Sequence, residues 1–430
     1  MKKKNDFILV GFTLFAIFFG AGNLIFPPEI GFNSGSEWFL AIIGFFLSGI
    51  GLPLLGILAL NKAGSLEKFG EKIGSKFTNI YTALILICIG PIVAIPRTGA
   101  STYEMGILPN FENPINPVIF SVIFFGITLV LTLKPTKIVS YVGKVLTPII
   151  LVILGILIVK GVFFTEHMFR ESTVSNFSYG FINGYQPMDA LGAPITAVIV
   201  ISSIIAMGYT KDEEKKALLK KASIVSSIGF VIVYGGLLYL GAALGGYFEV
   251  GISQTALTIG IADLVLGSFG KIALGVAIAA ACLTTSIGLT AMVSDFFSKL
   301  LKIRYEFIAA FICIVSAVIS NTGIESIISL AVPILMIFYP IQIILILFNV
   351  IGVKSKVTFK VTVYTTLVIS ALEVIHAQFN VTELDGLFKI IPFSGEGFAW
   401  VIPAALAILV SMIINAVSKE KEESTVNVLE

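Results

Sequence analysis

The stretch that decides the fold is residues 18–27, Phe18-Phe19-Gly20-Ala21-Gly22-Asn23-Leu24-Ile25-Phe26-Pro27. It belongs to an apolar run over 7–27, about the ~20 residues that a helix needs to cross a bilayer core. It places two glycines and an asparagine near the middle of the bilayer. Irregular backbone at membrane depth persists only where it lines a cavity inside the protein, because lipid cannot satisfy its hydrogen bonds. The stretch therefore predicts an interrupted membrane helix.

The composition of the whole chain agrees with a membrane location. Of its 430 residues, 57% are hydrophobic and only 13% are charged, and the mean hydropathy is +1.00. These values exclude a soluble fold of this size and predict a polytopic protein of the lipid bilayer. The net charge of +2 gives no basis for nucleic-acid binding. Cys88, Cys282 and Cys313 lie apart in apolar blocks, so they indicate neither disulfides nor a metal cluster.

Hydropathy predicts twelve spans, and the basic residues give their orientation. The predicted spans are 7–27, 38–60, 79–106, 115–133, 138–163, 179–209, 222–247, 270–298, 305–320, 326–350, 358–378 and 396–416. With both termini in the cytoplasm, most of the 28 Lys and Arg residues fall in cytoplasmic segments, as the positive-inside rule requires. Residues 253–266 are too short and polar for a span and predict a helix outside the membrane. The polar tail after residue 417 is predicted to be cytoplasmic and disordered.

A second interruption lies in the sixth predicted span. Its sequence is Tyr185-Gln186-Pro187-Met188-Asp189-Ala190-Leu191-Gly192-Ala193-Pro194. Taken singly, glycines in a span more often indicate close helix packing, and prolines more often indicate a kink. Spans one and six, however, occupy equivalent positions in two halves of five spans. Matching broken helices are typical of inverted-repeat transporters, whose substrate lies between the breaks. The pair therefore favours a transport site.

Four motifs, in order along the chain, carry a resemblance to a known family. They are Phe19-Gly20-Ala21-Gly22-Asn23-Leu24-Ile25-Phe26-Pro27-Pro28; Gly90-Pro91 with Ala94-Ile95-Pro96-Arg97-Thr98; Gly184-Tyr185 with Met188-Asp189-Ala190; and Ala281-Cys282-Leu283-Thr284-Thr285-Ser286-Ile287-Gly288-Leu289. Over essentially its whole length the chain resembles the bacterial branched-chain amino acid:cation symporter family, within the amino acid–polyamine–organocation superfamily. Gln186-Pro187 departs from the family pattern, in which a less disruptive pair is expected.

The resemblance implies an all-α polytopic membrane protein with a leucine-transporter-like fold. Twelve transmembrane helices would form a five-plus-five inverted repeat followed by two additional helices. The first repeat would cover 1–163, the second, inverted repeat 179–350, the C-terminal helices 358–416 and the tail 417–430. The implied location is the bacterial inner membrane. The sequence leaves the oligomeric state open, with a monomer as the simplest expectation.

The expected substrates, L-leucine, L-isoleucine and L-valine, are zwitterions, so the site must replace water around a carboxylate and an ammonium group. Free N–H groups at the start of the second half of span one suit the carboxylate, and the missing side chain at Gly22 lets the backbone approach closely. Free carbonyls at the breaks suit the ammonium group or a cation. Asp189 is expensive in lipid and must face protein or water. The substrate-binding candidates are Gly20, Ala21, Gly22, Asn23, Tyr185, Met188 and Asp189.

The coupling ion is expected to be sodium, with no other cofactor. Thr284-Thr285-Ser286 supplies three consecutive hydroxyl groups. By resemblance to the sodium site of the superfamily, Thr284 and Thr285 would contribute side-chain oxygens. Ala281, Ala16 and Phe19 would contribute carbonyl oxygens. The alternative is that these hydroxyls bond carbonyls of their own helix, as Ser and Thr commonly do in membranes.

Sodium symport has three alternatives. A channel or uncoupled facilitator would use a continuous polar pore, whereas the polar groups here concentrate at two breaks and one hydroxyl cluster. An intramembrane enzyme is not expected, because neither H-E-x-x-H nor G-x-S-x-G occurs. A proton-coupled symporter of the same fold is the main alternative. Arg97 and Glu104 are seven residues apart on one face of span three and are expected to pair at the outer vestibule. Glu373 and His376 in span eleven lie outside the ten-helix core and are expected to be structural or interfacial.

Overall fold

The computed structural model describes residues 5–20, 22–133 and 137–429, with side chains described outside 137–147 and 416–429. All regular elements in these ranges are helical. The helices of the first half are α1 (Asp6–Phe18), α2 (Gly22–Ser34), α3 (Trp38–Phe45), α4 (Leu52–Ala63), α5 (Leu66–Gly70), α6 (Ser75–Ile87), α7 (Ala94–Thr102), α8 (Pro117–Leu133) and α9 (Lys137–Phe163). Those of the second half are α10 (Asn176–Asn183), α11 (Asp189–Ala206), α12 (Asp212–Ala243), α13 (Gln254–Leu266), α14 (Ser268–Leu301), α15 (Tyr305–Ser320), α16 (Ile324–Ile351), α17 (Lys356–Phe379), α18 (Asp385–Ile390) and α19 (Val401–Leu429).

Apolar helices dominate the described chain, as expected for a multi-pass membrane protein. Seven helical segments are long and apolar enough to cross a membrane, and six further apolar helices are shorter. One of the seven, Gly22–Ala63, joins α2 to the predicted second span. Several predicted spans agree closely with single helices, and span nine, 305–320, coincides with α15. The count of twelve spans and the division into two repeats stay predictions.

Both predicted interruptions occur. α1 ends at Phe18, and Phe19 adopts an extended conformation with φ −80° and ψ 100° before α2 begins at Gly22. In span six, α10 ends at Asn183 and α11 begins at Asp189. Met188 between them has φ +64°, a left-handed conformation that non-glycine residues rarely adopt. The local signals of Gly, Pro and Asn were therefore sufficient to locate both breaks.

Span three contains an interruption that the hydropathy analysis did not predict. A π-helical segment, Cys88–Ile92, separates α6 from α7, and Gly90 within it has non-helical angles of φ −91° and ψ −116°. Pro91 follows directly and cannot donate a backbone hydrogen bond. The Gly90-Pro91 pair thus ends α6 and redirects α7, which carries Arg97.

Two predictions about the less apolar segments had different outcomes. Residues 254–266 form α13, whose N-terminus is capped by the Ser253 hydroxyl accepting from the Ala256 N–H, so the predicted short helix is confirmed. Its position relative to the membrane stays a prediction. The prediction of a disordered tail after residue 417 was wrong, because α19 continues to Leu429. Lys and Glu, which dominate 419–423, are good helix formers despite their polarity.

Glycines allow α2 and α12 to pack with their backbones in contact. A Cβ atom added at Gly31 would lie 1.8 Å from the Leu238 carbonyl oxygen, and one at Gly241 would lie 1.9 Å from that of Pro28. Such small residues are the usual means of close helix approach in membranes. This contact holds α2 against α12.

We predict that Gly31→Ala and Gly241→Ala each lower the free energy of unfolding by about 1–3 kcal/mol, because the added methyl group meets backbone atoms that cannot rotate away. Thermal unfolding of the purified protein in detergent measures the loss. Gly126→Ala in α8 is the matched control, since no atom lies within 4 Å of its added Cβ. Equal melting temperatures for all three variants would contradict the described helix contact.

Candidate functional site

A cavity of about 70 Å³ lies where the three helix interruptions meet. One water molecule needs ~10–15 Å³ by the same measure, so the cavity has room for a small molecule. Its walls combine backbone at the breaks, one basic and one acidic side chain, and apolar side chains. The lining residues are Ile17, Phe18, Gly20, Gly22, Asn23, Ile89, Ala94, Arg97, Thr98, Pro187, Met188, Asp189, Gly192, Thr196, Thr285, Leu289 and Met292.

Asn23 connects the two predicted breaks. Its side chain is 2% exposed. The amide Nδ2 donates to Asp189 Oδ2 at 2.8 Å and to the hydroxyl of Tyr234 in α12, while Oδ1 accepts from the Gly20 N–H at 3.2 Å. These bonds use both donors and one acceptor of the amide. Asn23 therefore holds the first-span break, the sixth-span break and α12 in one arrangement.

Asp189 lies at the first position of α11, beside the positive end of that helix, which stabilises a carboxylate. Its hydrogen bond comes from the Asn23 side chain. Met188 occupies the cap position of α11 and makes no side-chain cap bond. Asp189 presents its carboxyl group to the cavity.

Arg97 enters the same cavity from α7. It is 4% exposed. Its Nη1 donates to the Gln186 carbonyl oxygen at 2.8 Å, and its guanidinium lies 5.3 Å from the centroid of the Phe26 ring. The predicted pairing with Glu104 was wrong. Glu104 accepts from the Thr255 hydroxyl at 3.2 Å and from the Ile324 N–H at 2.9 Å.

The three hydroxyls of the cluster in α14 lie in three different environments. Thr285 lines the cavity, and its Oγ1 would lie 3.2 Å from a Cβ added at Gly20, so it borders the first-span break. Thr284 Oγ1 donates to the carbonyls of Ala280 and Ala281 at 3.1 and 2.9 Å. Ser286 accepts from Thr128 in α8 at 3.2 Å. Of the three hydroxyls, that of Thr285 is the one that borders both the cavity and the first-span break.

The other expected ligands have mixed positions. Gly20, Gly22 and Met188 line the cavity, whereas Ala21 lies outside the described residues. Ala16 and Phe19 are at the end of α1, and the Phe19 N–H bonds the Phe15 carbonyl. The Tyr185 ring stacks on Tyr339 at 4.1 Å instead of lining the cavity.

Two participants were missed by sequence reasoning as members of the site. An arginine in an otherwise apolar span is by default a functional candidate, so the sequence did indicate a role for Arg97. The seven-residue spacing to Glu104 favoured a structural pair instead, and Arg97 was therefore not predicted as part of the site. The sequence gives no comparable indication for Tyr234, because nothing in its apolar surroundings distinguishes it from aromatic residues that only pack. Its contact with Asn23 exists only in three dimensions.

Comparison with known proteins shows the family of the chain. Residues 3–418 match the family described as branched-chain amino acid transport protein. The chain belongs to this family. It is 36% identical over 428 residues to the branched-chain amino acid permease BraB of Bacillus subtilis (strain 168), and the alignment covers 95% of each protein. Membership confirms the prediction of a membrane transporter rather than an enzyme.

Solved structures confirm the predicted fold class. The family member described here superposes on MhsT, solved in complex with L-phenylalanine, with a TM-score of 0.53 and 16% identity over 96% of this chain and 98% of MhsT. It superposes on the inward-facing conformation of Mhp1 with a TM-score of 0.60 and 13% identity over 96% of this chain and 91% of Mhp1. Both neighbours have the leucine-transporter fold.

Proposed function

We propose that the protein is a secondary active symporter that imports L-leucine, L-isoleucine and L-valine together with sodium by alternating access. The observation that carries this proposal is the convergence of both broken helices on one cavity through Asn23. The name of the similar permease BraB supports the substrate class. Apolar lining residues, such as Ile89, Met188 and Leu289, suit an aliphatic side chain.

The polar part of the proposed site suits a zwitterion. The positive end of α2 begins at Gly22 and attracts a carboxylate. Asp189 on the opposite break attracts an ammonium group. A lysine or glutamate side chain would add a third charge within apolar walls, and its desolvation would cost more than aliphatic contacts return. Selection for aliphatic amino acids follows from this difference.

Sodium is proposed as the coupling ion, bound beside the first-span break by the hydroxyls of Thr284 and Thr285 and by carbonyls of Ala16, Phe19 and Ala281. Carbonyls at the ends of broken helices are the usual sodium ligands in transporters of this kind. Movement of one sodium ion into the cell down a membrane potential supplies about 2.3 kcal/mol per 100 mV. We further propose an inner-membrane location with both termini in the cytoplasm, on the distribution of lysine and arginine.

Uptake of radiolabelled leucine into proteoliposomes tests this proposal, with sodium and proton gradients imposed separately. A sodium gradient should drive accumulation, and unlabelled isoleucine and valine should compete, whereas lysine and glutamate should not. Accumulation driven by a proton gradient and indifferent to sodium would establish the proton-coupled alternative. Equilibration without accumulation under either gradient would indicate an uncoupled facilitator.

A further inference from the structure

The cavity is lined by one buried basic side chain and one buried acidic side chain, Arg97 and Asp189, on different helices. The Asp189 carboxylate accepts a hydrogen bond from Asn23, and one arm of the Arg97 guanidinium donates to the Gln186 carbonyl. Burying charges is costly unless each finds a partner. A pair of opposite charges facing one small cavity is therefore an arrangement that needs a functional or structural reason.

The position of the second guanidinium nitrogen, Nη2, indicates a functional reason. A Cβ added at Gly22 would lie 2.8 Å from Arg97 Nη2 and 3.2 Å from its Cζ. The guanidinium therefore lies against the first residue of α2, where the free N–H groups and positive end of that helix also are. Two independent sources of positive potential converge on one corner of the cavity. An anion in this corner would interact with both.

We infer that Arg97 binds the α-carboxylate of the transported amino acid, while Asp189 faces its ammonium group. This inference rests on the proposed function and identifies a recognition residue within its site. Guanidinium matches a carboxylate with parallel N–H donors, and such charge-assisted bonds are about twice as strong as neutral ones. The two protein charges and the two substrate charges then pair end to end, which leaves no net charge in the cavity.

This arrangement explains why a single charged group would bind poorly. A carboxylic acid without an amine would pair with Arg97 but leave Asp189 facing an apolar group, and an amine without a carboxylate would leave Arg97 without its partner. Truncation of one member of a buried charge pair costs about 2–5 kcal/mol, much of it from the group left behind. Recognition therefore depends on both ends of the zwitterion.

The competing explanation is that Arg97 is purely structural and anchors the sixth-span break through Gln186. The two explanations differ in what happens to ligand analogues. Leucinamide keeps the ammonium group and the side chain of leucine but has no carboxylate. 4-Methylpentanoate keeps the carboxylate and the side chain but has no ammonium group. A structural role would change the affinity for leucine and leucinamide together, whereas a carboxylate contact changes only that for leucine.

The experiment measures the affinity of the full-length purified protein for leucine, leucinamide and 4-methylpentanoate in sodium-containing buffer. Arg97→Gln should weaken leucine binding by about 100-fold, as expected for loss of a buried charged contact, with leucinamide binding unchanged. Asp189→Asn should weaken leucine binding and leave the binding of 4-methylpentanoate unchanged, so that leucine no longer binds more tightly than 4-methylpentanoate. Arg97→Lys keeps the charge without the two-armed geometry and should weaken leucine binding by about 10-fold.

Arg170→Gln is the matched control. Arg170 also donates to a backbone carbonyl, that of Phe248 at 2.9 Å, and lies 4.9 Å from the Phe32 ring, but it is not a lining residue of the cavity. This variant should leave the leucine-to-leucinamide ratio unchanged. An unchanged ratio in Arg97→Lys or in folded Arg97→Gln would overturn the inference and leave the proposed function standing. A wild-type protein that does not bind leucine would overturn both.

Discussion

Asn23→Leu is expected to lower leucine uptake by at least about 100-fold. The substitution preserves the size of a buried side chain but removes the amide that joins Gly20, Asp189 and Tyr234. Each buried polar group left without a partner costs about 1–3 kcal/mol, and three groups lose one here. The lost hydrogen bonds hold the two breaks in position, so we expect the substitution to affect transport more than insertion into the membrane.

Uptake into proteoliposomes, normalised to the amount of inserted protein, measures this effect. Asn183→Leu provides the control, because Asn183 is close to the sixth-span break but donates only to the Tyr179 carbonyl of its own helix. It should retain uptake within a few-fold of wild type. Near-normal uptake by Asn23→Leu would mean that the contact between the two breaks is dispensable for transport.

The elements that could be predicted from sequence are those encoded locally. Glycine and asparagine in 18–27 and proline in 185–194 conflict with a continuous membrane helix, and that conflict is visible without tertiary information. The helix 305–320 could be predicted equally well, because an uninterrupted apolar segment bounded by Arg304 and Asn321 has few alternatives to a single helix. Local signals of this kind gave the positions of both breaks and hence the position of the site.

The contacts that could not be predicted join residues that are far apart in the sequence but close in the folded chain. Arg97 and Glu104, seven residues apart, have a spacing compatible with pairing on one helix, but Gly90 and the π-helical segment Tyr103–Ile107 change the course of that span. Each charge consequently finds partners far away in sequence. The same reason hides Tyr234, and it explains why three adjacent hydroxyls, apparently equivalent in sequence, face different neighbours.

The difference between those hydroxyls leads to the second large effect. Thr285→Val should raise the half-saturating sodium concentration for leucine uptake by about 10-fold, because valine keeps the shape of threonine but removes an oxygen able to contact the ion. Thr285 borders the break at Gly20, where the proposed sodium site meets the proposed substrate site. Linkage then requires that leucine raise the affinity for sodium by the same factor by which sodium raises the affinity for leucine.

Leucine uptake against sodium concentration at fixed pH measures this shift, and Thr290→Val in the same helix is the control, since Thr290 is fully buried and does not line the cavity. Thr285→Val should also weaken the reciprocal effect, so that saturating leucine raises sodium affinity less than in wild type.

Because Thr284 already donates to the carbonyls of its own helix, Thr284→Val should shift the sodium dependence less than Thr285→Val. An unchanged half-saturating concentration in Thr285→Val would remove its hydroxyl from the ion site, and equal shifts in Thr285→Val and Thr290→Val would assign the effect to helix packing instead.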